Sequence, residues 1–418
     1  MTLSRRSVLK TAAAGAAVST GLVGTRFAYA QATPLKIGVA LPMSGIGAEA
    51  GAAWIAGIKV ATSQWNAAGG LLGKQIELEV RDDKFSSAGA VAAARELTGS
   101  GINLLVGGSQ SPMALATAPI LSELKAVMVA PCPTVMSLTH EGFQKNFFRL
   151  SWNAYIAFAG IGNLLTGKFP EVATWSVIVP DSENGRDMAR YFTLGAQRAA
   201  AKAGRTVKVL DPIFASLNKA DYKVEINSLM NAPSQGLFVG LTAAPCISLL
   251  QQGRAVGMDS KFKVIGEAGT ELLIAKAMQK STPANLWSIS FWAAGVEATK
   301  KFPLSQPLLE GYAKLTGDKY PAGIVHSSHR ATLALFNAVK KANAADTDSV
   351  IAALEGLTYE TAMGPYHIRK EDHQGLGNAY IAKVGAREEA PGYGIADAVV
   401  LTEADVAEPA TPGKQFEA

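Results

Sequence analysis

Four short segments carry hydroxyls, amides and backbone N–H groups in patterns that can hold a small ligand. Gly107-Gly108-Ser109-Gln110-Ser111-Pro112 follows an apolar run. The glycines let the chain turn, Ser111 is a candidate cap, and Pro112 suits the first position of a helix. Free amides and two hydroxyls at a helix N-terminus form a neutral carboxylate site. The same pattern also describes an ordinary capped turn. A hydrolytic elbow needs glycine where Ser111 stands, so that chemistry is excluded. In Pro131-Cys132-Pro133-Thr134, two prolines keep the chain extended and expose its carbonyls and the Thr134 hydroxyl. Asp181-Ser182-Glu183-Asn184-Gly185 is the third segment, and Leu41 to Gly51 the fourth. In the fourth, Gly45, Gly47 and Gly51 approach a dinucleotide fingerprint, with Asp82 in the place of its ribose-binding acid. The last glycine comes one residue late and the turn is too long.

Groups that do covalent or metal chemistry are scarce. The five histidines are His140, His326, His329, His367 and His373. His326 and His329 are spaced to share a helix face, but a metal site needs a third ligand, and capping or packing explains them as well. Cys132 and Cys246 lie far apart, which argues against a disulfide and for two buried thiols. No phosphate-binding loop or Ser/His/Asp order stands out. No catalytic constellation emerges from these groups, and no cofactor and no metal are expected.

The chain has 418 residues and a formal charge of +5. That length suggests two or three domains, and a basic chain can bind nucleic acid or a membrane surface. The position of the charge decides otherwise. Ser4-Arg5-Arg6-Ser7-Val8-Leu9-Lys10 is a twin-arginine run, with Val8 where Phe is usual. A mild Ala/Gly-rich stretch follows, then Ala28-Tyr29-Ala30, a small-x-small cleavage site. Residues 1–30 read as an export signal cut after Ala30, which implies a periplasmic protein. They hold four basic side chains and no acid, so the remainder carries a formal charge of +1. Nucleic-acid binding loses its motive.

From Leu35 onward, short apolar runs alternate with amphipathic ones. Trp54, Ile58, Ala61 and Trp65 share one helix face. Leu35 to Leu41, Gln75 to Val80, Asn103 to Val106 and Ala126 to Ala130 read as strands, with helices between them. This βαβ rhythm implies a parallel sheet covered on both faces. It restarts after Arg149, with strands at Thr174 to Val179, Val207 to Pro212, Gly236 to Gly240 and Phe262 to Ile265. The fold class is therefore α/β, with two doubly wound parallel sheets. The last third is too sparse for another domain and is expected to return to those sheets, with a hairpin over Tyr359 to Gln374 and a polar, loosely ordered tail over 401–418.

These marks together resemble the periplasmic solute-binding proteins of ABC importers, of the Leu/Ile/Val-binding type. The resemblance covers nearly all of 34–400. It rests on Ile37-Gly38-Val39 through Pro42-Met43-Ser44-Gly45, Gly69-Gly70-Leu71-Leu72-Gly73-Lys74, Arg81-Asp82-Asp83, Phe148-Arg149 and Asp181-x-x-Asn184-Gly185. It implies two lobes joined by three crossing strands, expected near Arg149, Ser288 to Trp292 and Ala362 to Pro365. The lobes are then 34–149 plus 290–362, and 150–289 plus 363–400. It also implies a monomer that captures a small molecule between the lobes and delivers it to an ABC permease. A ligand sensor on the same fold remains open. A Tat-exported, nucleotide-dependent oxidoreductase is the alternative from another class.

Carried over residue by residue, the family's carboxylate-binding positions fall on Ser109 and on Cys132 to Thr134, with Gln110 and Ser111 beside them. The amine side departs from the pattern. Asn184 stands where the family has tyrosine. Ala268 stands where its amino-acid binders have an acid, and Glu267 is one residue early. Either Glu267 pairs with an amino-acid ligand, or the ligand is an aromatic or aliphatic acid or amide without an α-amine. Trp152, Tyr155, Phe291 and Trp292 are candidates for an apolar wall, or equally for hinge and core packing.

Overall fold

The computed structural model describes residues 33–216, 219–294, 296–386 and 392–417. The leader at 1–30 lies outside the described residues. β1 (Leu35–Leu41), β2 (Ile76–Asp82), β3 (Leu104–Val106), β4 (Val127–Ala130) and β5 (Phe147–Arg149) form a parallel sheet in the order β2-β1-β3-β4-β5. Between them run α1 (Ala48–Ala67), α2 (Ser87–Gly99) and α3 (Ser111–Thr117). α1 forms because its apolar positions recur at helical spacing, and Trp54, Ile58 and Ala61 are all buried. Ser86 caps α2 by accepting from the Gly89 N–H at 3.1 Å.

The second lobe begins with one turn of π-helix at Tyr155–Ala159, followed by α4 (Gly160–Lys168). Then come β6 (Thr174–Pro180), α5 (Glu183–Lys202), β7 (Lys208–Val209), β8 (Ile213–Ala215), α6 (Lys223–Asn231), β9 (Gly236–Val239), α7 (Ala243–Arg254), α8 (Met258–Lys261), β10 (Val264–Glu267), α9 (Glu271–Met278) and β11 (Leu286–Ser290). The chain returns to the first lobe through α10 (Glu297–Lys300), α11 (Ser305–Thr316) and α12 (Ile324–Ala342). α12 packs along α1, where Trp65 meets Phe336 edge-on at 5.6 Å. α13 (Thr347–Leu354) follows, then β12 (Thr358–Thr361), β13 (Gly364–Ile368) and β14 (Gly375–Leu376), which make a small antiparallel sheet of their own. β15 (Ala379–Ala386) and β16 (Tyr393–Leu401) complete the second sheet, ordered β16-β15-β11-β10-β9-β6-β7 with β8 also on β6. A final turn, α14 (Glu403–Val406), precedes the tail.

Three details differ from the sequence reading. The second sheet is mixed, because β15 and β16 add to it antiparallel. The expected crossing at Ala362 to Pro365 falls on the β12–β13 turn. The chain instead leaves the small sheet at β14 and enters the large one at Ala379. Gln374 there bridges to Arg149, and its Oε1 accepts from Arg149 Nε at 2.6 Å, so the first and third crossings run side by side. The tail is also anchored. Phe416 stacks on His140 at 5.1 Å and meets Tyr155 edge-on at 5.4 Å, the Gly413 N–H donates to His140 O at 2.7 Å, and Glu408 is buried against Asn153 and Arg369.

Candidate functional site

The two lobes face each other across the carboxyl ends of their strands, where an open α/β sheet binds ligands. Equivalent junctions shape both sides. A Cβ on Gly51 in α1 would lie 1.6 Å from Pro42 O, and one on Gly185 in α5 would lie 1.8 Å from Pro180 O. Each helix starts against a carbonyl at or just beyond the end of the strand before it, and only glycine permits that approach. This explains the near-fingerprint around Gly51 without a nucleotide. Asp82 is also occupied, accepting from the Met43 N–H, the Lys84 N–H and the Ser44 hydroxyl.

Between the lobes lies a cavity of about 50 Å³, several times the roughly 10–15 Å³ that one water needs. The first lobe contributes Ala50, Trp54, Gln110, Cys132 and Thr134, with Ile324 from the start of α12. The second contributes Phe158, Asn184, Met188, Thr242, Ala243, Ala268, Gly269, Thr270 and Leu273, and Phe291 comes from the crossing after β11. None of these residues is acidic or basic. Their positions at helix starts matter more. Gln110 is the N-cap of α3, Thr242 of α7 and Thr270 of α9, while Asn184 lies in the first turn of α5. These ends bring partial positive charge to a cavity without a cation. Ala243 holds φ at +53°, a strained conformation for alanine, with its N–H donated to the Thr270 hydroxyl at 3.1 Å.

The polar wall joins the lobes. Thr134 Oγ1 donates to Asn184 Oδ1 at 2.7 Å, which leaves the Asn184 amide N–H groups for a ligand. The Cys132 sulfur accepts from Trp54 Nε1 at 3.3 Å and lies 3.0 Å from Ser327 Oγ. Burial pushes the thiol up to about 11, so it stays protonated. Cys132 and Cys246 are both unpaired. Among the described residues, no group of three or more His, Cys, Asp or Glu side chains converges as a metal would require.

Of the residues singled out from sequence, Gln110, Cys132, Thr134, Asn184 and Phe291 line the cavity, and Tyr155 does not. The others stand around it. Ser109 is fully buried and its hydroxyl has no partner. Ser111 does not cap α3; its Oγ accepts from the N–H groups of Thr134 and Val135 and fixes that loop. Trp152 is buried and stacks on Phe291 at 5.2 Å with 9° between the rings. Trp292 turns into the first lobe among Ala56, Val60 and Leu308. Glu267 is buried at the end of β10, where its carboxylate accepts from the N–H groups of Gly269, Thr270 and Glu271 at 2.9–3.0 Å. Burial raises its pKa against the pull of those donors. Glu267 thus serves the N-terminus of α9 and does not reach the cavity wall.

Trp54, Phe158, Met188, Thr242, Thr270, Leu273 and Ile324 line the cavity and were not singled out from sequence. Trp54 belongs to the helix face whose spacing marks it as buried, and Met188 lies on the buried face of α5. That reading describes their backs correctly but gives no sign that one edge meets the cleft.

Residues 34–389 match the model of a family described as periplasmic binding protein. The chain belongs to that family. The family is one of binding proteins, and the absence of a catalytic constellation from the sequence accords with it. The chain is 25% identical to the leucine-, isoleucine-, valine-, threonine- and alanine-binding protein of Pseudomonas aeruginosa over 336 residues, covering 80% of this chain and 85% of that one. It is 24% identical to the Leu/Ile/Val-binding protein of Escherichia coli K12 over 347 residues, covering 80% and 90%. In fold it is similar to a solute-binding protein of an ABC transporter from Rhodopseudomonas palustris BisB5, solved with 3,4-dihydroxybenzoic acid. There the TM-score is 0.77 and the identity 21%, over 90% of this chain and 99% of that one. A branched-chain amino acid transporter substrate-binding protein from Streptococcus pneumoniae, solved with isoleucine, gives a TM-score of 0.76 at 19% identity, over 88% and 99%. No helix among the described residues is long and apolar enough to cross a membrane.

Proposed function

We propose that this chain is the extracytoplasmic binding component of an ABC uptake transporter and that it captures a small carboxylate lacking an α-amine. The observation that carries the ligand class is the cavity wall, which has several helix N-termini and no acidic side chain. A ligand ammonium would be buried there without a counter-ion, at a cost of several kcal/mol. A carboxylate finds hydroxyls, amides and positive helix ends. Trp54, Phe158 and Phe291 supply aromatic surface for the rest of the ligand, so aromatic acids are the first candidates. The 3,4-dihydroxybenzoic acid of the Rhodopseudomonas palustris protein and the 4-hydroxybenzoate of a second protein from that species support this class.

Capture follows from contacts with both lobes. A ligand touching Thr134 on one side and Asn184 on the other favours the closed arrangement by differential affinity. The permease then reads the closed form of a monomer. Export through the twin-arginine leader places this cycle in the periplasm. A thermal-shift screen of benzoate, 4-hydroxybenzoate, 3,4-dihydroxybenzoate, leucine and isoleucine tests the reading. The aromatic acids raise the melting temperature by mass action and the amino acids do not. A shift with leucine alone overturns it.

A further inference from the structure

Three hydrogen bonds cross the cleft from the first turns of α5. Glu183 Oε1 accepts from Ser137 Oγ at 2.6 Å, Asn184 Oδ1 from Thr134 Oγ1 at 2.7 Å, and Asp187 Oδ2 from the Met136 N–H at 2.8 Å. All three donors lie in the loop between β4 and β5 of the first lobe, and all three acceptors lie on the second. We propose that this row is a latch between the lobes and that Asp187 makes it proton-dependent, with closure taking up a proton.

Closure changes the surroundings of Asp187. Only one donor, the Met136 N–H of the first-lobe loop, reaches its carboxylate, and the residue is half-buried. The groups facing it are Glu183, Arg190 and Tyr191 on its own helix, and Arg149 at the end of β5. His140, Glu141 and Glu408 lie farther out, around Arg149 and Tyr191. Arg149 is occupied by Val135 O, Thr139 Oγ1 and Gln374 Oε1. Burial, with the like charge of Glu183, raises the Asp187 carboxyl to about 6 from an ordinary 3.8. A carboxyl that binds its proton more tightly when covered must favour the covered state as pH falls. The protonated group still accepts the Met136 N–H through its carbonyl oxygen, so the latch keeps its bond and loses a half-buried charge.

Spin labels on Ile46→Cys and Val224→Cys, one exposed site per lobe, report the distance between lobes in the full chain without any ligand. The closed-to-open ratio is expected to rise about tenfold from pH 7.5 to pH 5.0, the change that a shift from 3.8 to about 6 implies. Asp187→Asn, which keeps the acceptor and carries no charge, is expected to hold the higher ratio at both pH values. Glu183→Gln is expected to keep the response and move its midpoint to lower pH. A ratio unchanged or falling on acidification, a response that survives Asp187→Asn, or a midpoint unmoved by Glu183→Gln overturns the proposal. Because no ligand is present, these outcomes are independent of the ligand class argued above.

Discussion

The Thr134 hydroxyl of one lobe donates to the Asn184 side-chain oxygen of the other at 2.7 Å, and both residues line the cavity. The pair is therefore a contact between lobes and a wall of the site at once. Thr134→Val is expected to weaken ligand binding about tenfold, the loss of one well-placed hydrogen bond, while the ligand-free melting temperature stays within about 2 °C. Asn184→Ala is expected to do the same. The double variant should lose less than the sum, with a coupling of about 0.5–1.5 kcal/mol. Calorimetry on the four proteins checks this, and strictly additive losses would show that the two side chains act separately.

The parallel core was legible because its signals are local. Strand runs such as Leu35 to Leu41, and the Ser86 and Ser182 caps, each declare themselves within a few residues. The β15–β16 pair was not legible, since Tyr393–Leu401 mixes apolar, acidic and small residues on an edge where only one neighbour constrains them. The tail misled for a related reason. Val406 and Phe416 are single apolar residues in a polar stretch, and only the groove formed by His140, Tyr155 and Tyr191 gives Phe416 a partner. In the site, loops rich in glycine and hydroxyls pointed to Gln110, Cys132, Thr134 and Asn184. Trp54 and Phe158 gave no such sign, because an apolar residue at helical spacing looks the same whether it meets the core or the cleft.

Glu267 caps α9 with three N–H donors and lies outside the cavity wall. Glu267→Gln places an N–H₂ group where acceptors are needed. It is expected to cost about 2 kcal/mol of stability and to leave the order of preference among ligands unchanged. Chemical denaturation and a repeated thermal-shift screen measure the two effects. A lost preference at full stability would return Glu267 to the binding site.

Phe291 lines the cavity and stacks on Trp152, which belongs to the crossing after β5. Phe291→Ala removes a wall of the site and half of a hinge pair. Affinity for an aromatic acid is expected to fall at least tenfold, with about 3 kcal/mol of stability lost to the cavity it leaves. Phe291→Leu keeps much of the volume without the ring and is expected to recover stability more than affinity. Equal recovery of both would mean that Phe291 acts through packing alone.

Phe416 is nearly buried at the end of the chain, against His140 and Tyr155. Phe416→Ala is expected to destabilise the protein by about 3 kcal/mol, far more than a change in a loose tail would. Limited proteolysis is expected to trim the variant back from its C-terminus while the wild type resists. Equal resistance in both would show that the backbone bond from Gly413 to His140 is enough to hold the segment.

His329 is buried in α12, with Nε2 3.3 Å from Gln64 Oε1 and Nδ1 without a partner. Burial lowers its pKa to about 3 from an ordinary 6.5. The unfolded chain therefore binds a proton here that the folded chain refuses, and stability drains away as pH falls from about 6.5 towards 3. Asp83 and Asp187 work the other way, since burial raises both to about 6 and the folded chain gains protons first. The wild-type profile mixes these signs, so the difference between two proteins is the useful quantity. His329→Gln keeps a neutral polar group and does not titrate. Its stability relative to wild type is expected to improve with acidification, by up to about 1.4 kcal/mol per pH unit between pH 6 and pH 4. Parallel denaturation curves across that window would show that His329 takes up its proton as readily in the folded chain as in the unfolded one.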